Sequence, residues 1–124
     1  MGKTYLLDAN AVIDFCTNLL PDNQRQLIAT IIDEEPTISV VNKIELLSRN
    51  ETPPSIHAFL STADVIPLDD EVVIQTIALR KKHKIKLPDA IIAATAILQK
   101  RTLITRNIQD FSNIKGLRIL NPHT

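Results

Sequence analysis

The chain has 124 residues, 44% hydrophobic and 23% charged, a size and balance that fit one globular domain (residues 1–124) with a real core and exclude a disordered segment. Basic and acidic side chains number 14 each, so bulk charge does not make it a coat for nucleic acid. No apolar run approaches the ~20 residues needed to span a bilayer and the N-terminus lacks a basic-then-apolar signal pattern, so a soluble, cytoplasmic protein is expected.

With 3% aromatics and 2 Gly, the core must be aliphatic. The charge is unevenly placed: residues 1–62 carry four basic (Lys3, Arg25, Lys43, Arg49) and eight acidic side chains, net −4, and residues 63–124 carry ten and six, net +4.

Thr4 to Leu7 is a short β-rich run ending in Asp8-Ala9-Asn10, a turn and N-cap signal with Asn10 as a candidate cap, after which an apolar helical pattern resumes at Ala11. Cys16 sits beside Phe15 in that pattern and reads as a small core residue, not a nucleophile. Pro21 and Asp22 open a second helix whose Leu27, Ile28, Ile31 and Ile32 share a face, and whose acidic end, Asp33-Glu34-Glu35, has the wrong sign for the helix dipole.

Thr37 to Val41 is the next strand, β-branched and bounded by Pro36; Asn42 can then cap a helix holding Ile44, Glu45, Leu46 and Leu47. Pro53-Pro54 leads into a helix over Ser55–Ala63, with Ile56, Phe59 and Leu60 on one face. Val65 to Leu68 is a short strand, and Asp69-Asp70-Glu71 starts a helix closing in Arg80-Lys81-Lys82, its charges matched to the dipole at both ends.

A basic loop to Lys86 precedes a helix from Pro88 to about Lys100, almost wholly apolar except for Asp89 in its first turn. Ala93 and Ala96 lie on the Asp89 side of that helix and let neighbouring backbone approach. Thr102 to Thr105 is a strand, Arg106 to Phe111 a turn or single helical turn, and Leu117 to Leu120 a last strand. Alternation without hairpin turns or internal repeats predicts an α/β three-layer sandwich, its mostly parallel sheet of about five strands flanked by helices.

In a parallel sheet the ligand crevice lies beyond the carboxyl ends of the strands. Asp8 ends the first strand, Glu45 follows the second, Asn107 and Asp110 follow the Thr102–Thr105 strand, and Asp89 opens the helix feeding it. Each has an ordinary structural reading: turn formation for Asp8, capping for Asn10 and Asp89, a wet helix edge for Glu45, turn decoration for Asn107 and Asp110. Glu45 resists it most, because apolar Ile44, Leu46 and Leu47 surround it and a carboxylate there is costly unless paired.

Gathering these acids would cost several kcal/mol of repulsion unless a divalent cation neutralised them. Oxygen ligands favour Mg²⁺ or Mn²⁺ over Zn²⁺, and His57, His83 and His123 have no zinc-site spacing. Arg80, Lys81, Lys82, Lys84 and Lys86 immediately precede Leu87 and form a candidate RNA-binding rim, or else a solvated helix end.

Leu6 to Ile13 around Asp8-Ala9-Asn10, Asn42-Lys43-Ile44-Glu45-Leu46, Leu87-Pro88-Asp89-Ala90 through Ala96, and Thr105-Arg106-Asn107-Ile108-Gln109-Asp110-Phe111 resemble, in order and spacing, the four motifs of PIN-domain ribonucleases. The VapC-type toxins of toxin-antitoxin pairs are the nearest in pattern. The resemblance implies a metal-dependent endoribonuclease in which Asp8, Glu45, Asp89 and Asp110 form the Mg²⁺ or Mn²⁺ pocket and are catalytic. Asn10, Thr105 and Asn107 would support the rim, and Arg106 would join the RNA contacts. It also implies an RNA substrate, a small VapB-like antitoxin and a homodimer, for which the Leu27–Ile32 and Ser55–Ala63 faces are candidate surfaces. Many relatives have Thr at the position of Ala9, and some an acid at that of Asn107, which bears on a second ion. The alternatives are a non-catalytic RNA- or protein-binding module, and a phosphatase using Asp8 as nucleophile, which would want an acid where Asn10 stands.

Overall fold

Successive side chains of a strand point to opposite faces of its sheet, so a run such as Leu6-Leu7 can bury both only if each face is covered. In the structure, a computed structural model that describes residues 4–124, Leu6 and Leu103 enter one core layer while Leu7 and Ile104 enter the other, and all four are fully buried. Lys3, counted in the charge of the first half, lies outside the described residues.

The strands are β1 (Tyr5–Leu7), β2 (Thr37–Ser39), β3 (Asp64–Ile66), β4 (Thr102–Ile104) and β5 (Ile119–Leu120); the helices are α1 (Ala9–Cys16), α2 (Asp22–Glu34), α3 (Val40–Leu47), α4 (Pro54–Thr62), α5 (Asp70–Lys82), α6 (Leu87–Leu98) and α7 (Ile108–Phe111). β1 pairs in parallel with β4 and β4 with β5, while β2 pairs in parallel with β3. β1 packs beside β2, so the order across the two ladders is β3-β2-β1-β4-β5. The expected parallel α/β sandwich is what forms.

On one face α6 and α5 bring Ile92, Ala93, Ala96 and Leu79 onto Leu6 and Leu103; on the other, α1 to α4 bring Val12, Ile28, Leu46 and Ile56 onto Leu7, Ile38 and Ile104. Each fully buried aliphatic side chain contributes about 2 kcal/mol of transfer free energy. Among the described residues no helix is long and apolar enough to cross a membrane.

Several boundaries differ from the sequence expectation, for identifiable reasons. β2 ends at Ser39 and Val40-Val41 are helical, because Ser39 and Asn42 form a capping box. The cap of α3 is therefore Ser39 rather than Asn42, and that of α1 is Asp8 rather than Asn10. β3 stops before Pro67, leaving Leu68 exposed. Cys16 is only partly buried, with Sγ 3.9 Å from the Ser55 carbonyl. On α2, Ile28 and Ile31 are buried but Leu27 is exposed. The acidic end of α2 finds a partner in Arg101, whose Nη1 lies 2.7 Å from Glu35.

Candidate active site

Every paired strand among the described residues is parallel to its neighbour, and the Asn42–Asp8 hydrogen bond brings the carboxyl ends of β2 and β1 together where the order reverses about β1. Asp8 follows the central strand of that edge. It is 5% exposed, and its backbone N–H continues the ladder by donating to the Ile104 carbonyl at 3.0 Å. As the cap of α1, its Oδ1 accepts from the Ala9 N–H at 2.9 Å.

Three more donors converge on it. Asn42 Nδ2 reaches Oδ1 at 3.0 Å; Thr105 Oγ1 and Asn10 Nδ2 reach Oδ2 at 2.8 and 3.1 Å. The orientation of Asn42 follows from local sequence: its Oδ1 accepts from the Ser39 N–H at 3.0 Å in the capping box, which leaves its NH₂ aimed at Asp8. The same NH₂ lies 3.5 Å from Glu45 Oε1. Thr105 is fully buried and also accepts from Asn10 Nδ2 and the Asn107 N–H.

Every donor to Asp8 is neutral. Burial raises its pKa above the ordinary 3.8, outweighing the hydrogen bonds from Thr105, Ala9, Asn42 and Asn10 that lower it. Partial burial of the Glu45 carboxyl raises its pKa, and the charges of Asp8 and Asp89 add to this against the Asn42 hydrogen bond. Asp89, in the first turn of α6, is likewise raised by burial, then by Asp110 and Asp8, with Lys86 opposing. The four sequence-derived acids thus share one electrostatic field.

They do not form a cage: among the described residues no three His, Cys, Asp or Glu side chains gather closely enough to hold one ion between them. The donors are all hard oxygens, which suits Mg²⁺ or Mn²⁺. Asp8 is buried, Asp89 is partly buried in the first turn of α6, and Glu45 on α3 and Asp110 on α7 lie exposed. The setting expected for Glu45 is corrected: Leu46 is buried, but Ile44 and Leu47 are 58% and 44% exposed, so no apolar shell encloses it.

Of the basic run, Lys86 is the residue whose charge reaches Asp89; Arg80, Lys81, Lys82 and Lys84 lie exposed at and beyond the end of α5. Arg106 is bound within the protein. Its Nη1 donates to both oxygens of Asp14 at 3.0 and 3.1 Å, and Asp14 also meets His123 Nε2 at 2.8 Å. Sequence reasoning passed over Asp14 and the inward role of Asn42. Asp14 stands between Ile13 and Phe15 in an apolar helix, the pattern that had drawn attention to Glu45.

The profile of the PIN domain family matches residues 5–117. Among solved structures, a toxin-antitoxin complex from Klebsiella pneumoniae is similar at 31% identity and a TM-score of 0.73, over 96% of this chain and 98% of that one. VapBC2 from Rickettsia felis bound to a promoter DNA fragment matches at 24% identity, TM-score 0.78, over 95% and 98%. DNA-bound VapBC from Salmonella typhimurium matches at 24% and 0.78, over 98% and 99%. At that identity the latter two bear on the fold alone. A search of curated protein sequences found no match.

Proposed function

Because this chain belongs to the PIN-domain family, whose members are typically nucleases, we propose that it is a metal-dependent endoribonuclease and the toxin of a VapBC-like pair, its 124 residues forming one cytoplasmic nuclease domain. The observation that carries the reading is Asp8: a buried carboxylate met only by neutral donors, within the field of Glu45 and Asp89. Its charge is left for an external cation to balance.

Asp8 and Asp89 would be the principal ligands, with Glu45 and Asp110 completing the pocket. A bound Mg²⁺ or Mn²⁺ supplies Lewis acidity and lowers the pKa of its water. Asn10, Asn42 and Thr105 hold the Asp8 carboxylate in one orientation, so none of it reorganises as substrate arrives. Glu45, wet and raised in pKa, would orient the attacking water and receive its proton. Asn107 supports the rim through its N–H to Thr105, and Lys86 with the end of α5 offers contacts to flanking phosphates.

The phosphatase alternative fits poorly, since the position where that chemistry wants a second acid is Asn10, which is committed to Asp8, Thr105 and the Arg106 N–H. Incubation with structured RNAs should give cleavage in Mg²⁺ or Mn²⁺ that EDTA or Asp89→Asn abolishes; cleavage indifferent to both would refute the mechanism.

A VapB-like antitoxin is the proposed partner, in keeping with the toxin-antitoxin complex of the 31%-identical relative. The proposed homodimer surface moves from α2 and α4, whose Ile28, Ile31, Ile56 and Phe59 are buried, to α5. There Val73, Ile74 and Ile77 are 40%, 68% and 50% exposed, on a face bounded by Asp70 at one end and Lys81 at the other. An antiparallel second copy would bring Ile74 against Ile77 and Asp70 against Lys81.

A further inference from the structure

The proposed chemistry makes no use of Asp14, Arg106 and His123, yet they form the most strongly tied charged cluster at the rim. Helix α1 carries Asn10 and Asp14 one turn apart, and both grip Arg106. Asn10 Oδ1 accepts its backbone N–H at 3.1 Å, and Asp14 accepts Nη1 on both oxygens. His123 Nε2, 2.8 Å from Asp14 Oδ2, holds the carboxylate from its other side.

The burial is one-sided. The Asp14 side chain is 1% exposed and that of Arg106 is 51% exposed. Only one guanidinium nitrogen bonds to Asp14, so the outer edge, Nη2 and Nε, keeps its N–H donors free of that carboxylate. Arg106 also lines an open cavity of about 340 Å³ with Asn107, Gln109, Asp110 and Asn121, in which it is the one cation among the described residues. Asp110 joins that cavity to the acidic site, and the Asn107 N–H joins it to Thr105.

We propose that this cavity is a phosphate subsite of the nuclease: the outer edge of Arg106 takes the phosphodiester flanking the scissile one, and Asp14 is the positioning residue that sets the guanidinium there. A neutralised Arg–Asp pair adds little bulk charge, so what it contributes is direction, two N–H groups held in a fork that matches phosphate oxygens. The inference rests on the RNA-cleaving reading and deepens it.

The test is steady-state cleavage of RNA in Mn²⁺, with anisotropy of a labelled single-stranded RNA oligonucleotide in EDTA as the binding readout. Arg106→Ala should raise KM about tenfold with kcat within about twofold. Asp14→Asn, close in size but uncharged, should raise KM similarly, and the double variant should be no worse than Arg106→Ala alone. Should Asp14→Asn fail to fold, Arg106→Lys decides: a lysine can satisfy Asp14 but cannot present a fork, so KM should stay at the Arg106→Ala level. Full rescue by lysine, multiplying effects in the double variant, or losses in kcat at constant KM would overturn the subsite. A wild-type protein that neither binds nor cleaves RNA would instead bring down the nuclease reading itself, whereas cleavage with unaltered KM in every variant removes only the subsite.

Discussion

Helix α1 places an aspartate at its cap and another in its body, Asp8 and Asp14, and they are equally hidden from water, at 5% and 1% exposure. What differs is how their charge is met. Asp14 has a guanidinium on both oxygens and a histidine on one, so the protein itself completes it. Asp8 has four donors and no cation, and the charged side chains that reach into its field are acids. A buried carboxylate with internal counter-charge is an anchor; one satisfied only by dipoles is held ready for something that arrives from outside. Burial alone would not have separated them.

That contrast can be broken most sharply by removing the charge at each position. Asp8→Asn should lower RNA cleavage by about 10³-fold or more in initial-rate assays, while changing unfolding free energy by under about 1 kcal/mol, because relief of desolvation offsets the mismatch with neighbouring donors. Asp14→Ala should act chiefly on stability, costing about 2 kcal/mol in urea unfolding, less than a fully buried pair would because the half-exposed Arg106 regains water, with its effect on cleavage confined to KM. If Asp8→Asn unfolded the chain and Asp14→Ala did not, the assignment of anchor and ligand would be inverted.

Titration sharpens the same contrast. Asp8, Glu45 and Asp89 are held above their ordinary values, so the folded state keeps protons that the unfolded state has already released. In metal-free buffer their contribution should therefore grow as pH falls through the raised values and level off in the ordinary carboxylate range, by at most about 1.4 kcal/mol per pH unit for Asp8. The readout is the stability of wild type minus that of Asp8→Asn in EDTA across acid pH, and a difference that shrinks with acidification would contradict it. Saturating Mn²⁺ at neutral pH should raise the melting temperature of wild type and leave that of Asp8→Asn unmoved.

The smallest effect belongs to an aspartate open to water. Asp70→Lys should weaken self-association about fivefold by sedimentation, roughly 1 kcal/mol, and Lys81→Asp added to it should restore the association. Unchanged association in both variants would remove α5 as the interface.

Much of the fold was legible because strand and helix signals agree locally. Runs such as Thr102-Leu103-Ile104 are β-branched or aliphatic and end at polar turns, and Asp69-Asp70-Glu71 and Arg80-Lys81-Lys82 mark both ends of α5. Val40 and Val41 were misread because their β-branched side chains argue for strand, whereas the capping box from Ser39 to Asn42 decides for helix. Of the acidic residues, Asp8 and Asp89 sit where strand ends and helix starts predicted, and their mutual repulsion is felt. Glu45 was singled out for three apolar neighbours, of which Ile44 and Leu47 turn out to face water. The same argument applied to Asp14 would have found a truly buried acid, but its partners Arg106 and His123 are 92 and 109 residues away, a proximity only the folded chain creates.

The ladder itself has a consequence for how the site opens. The Asp8 N–H bonds the Ile104 carbonyl and the Thr105 N–H bonds the Leu120 carbonyl, so the pocket's floor is the last rung of the sheet rather than a loop laid over it. Exposing Asp8 by local fluctuation would mean fraying three neighbouring strands at once, an opening close in cost to global unfolding. Amide hydrogens at these two positions should therefore fall in the slowest-exchanging class, because the floor of the site has no inexpensive way to move.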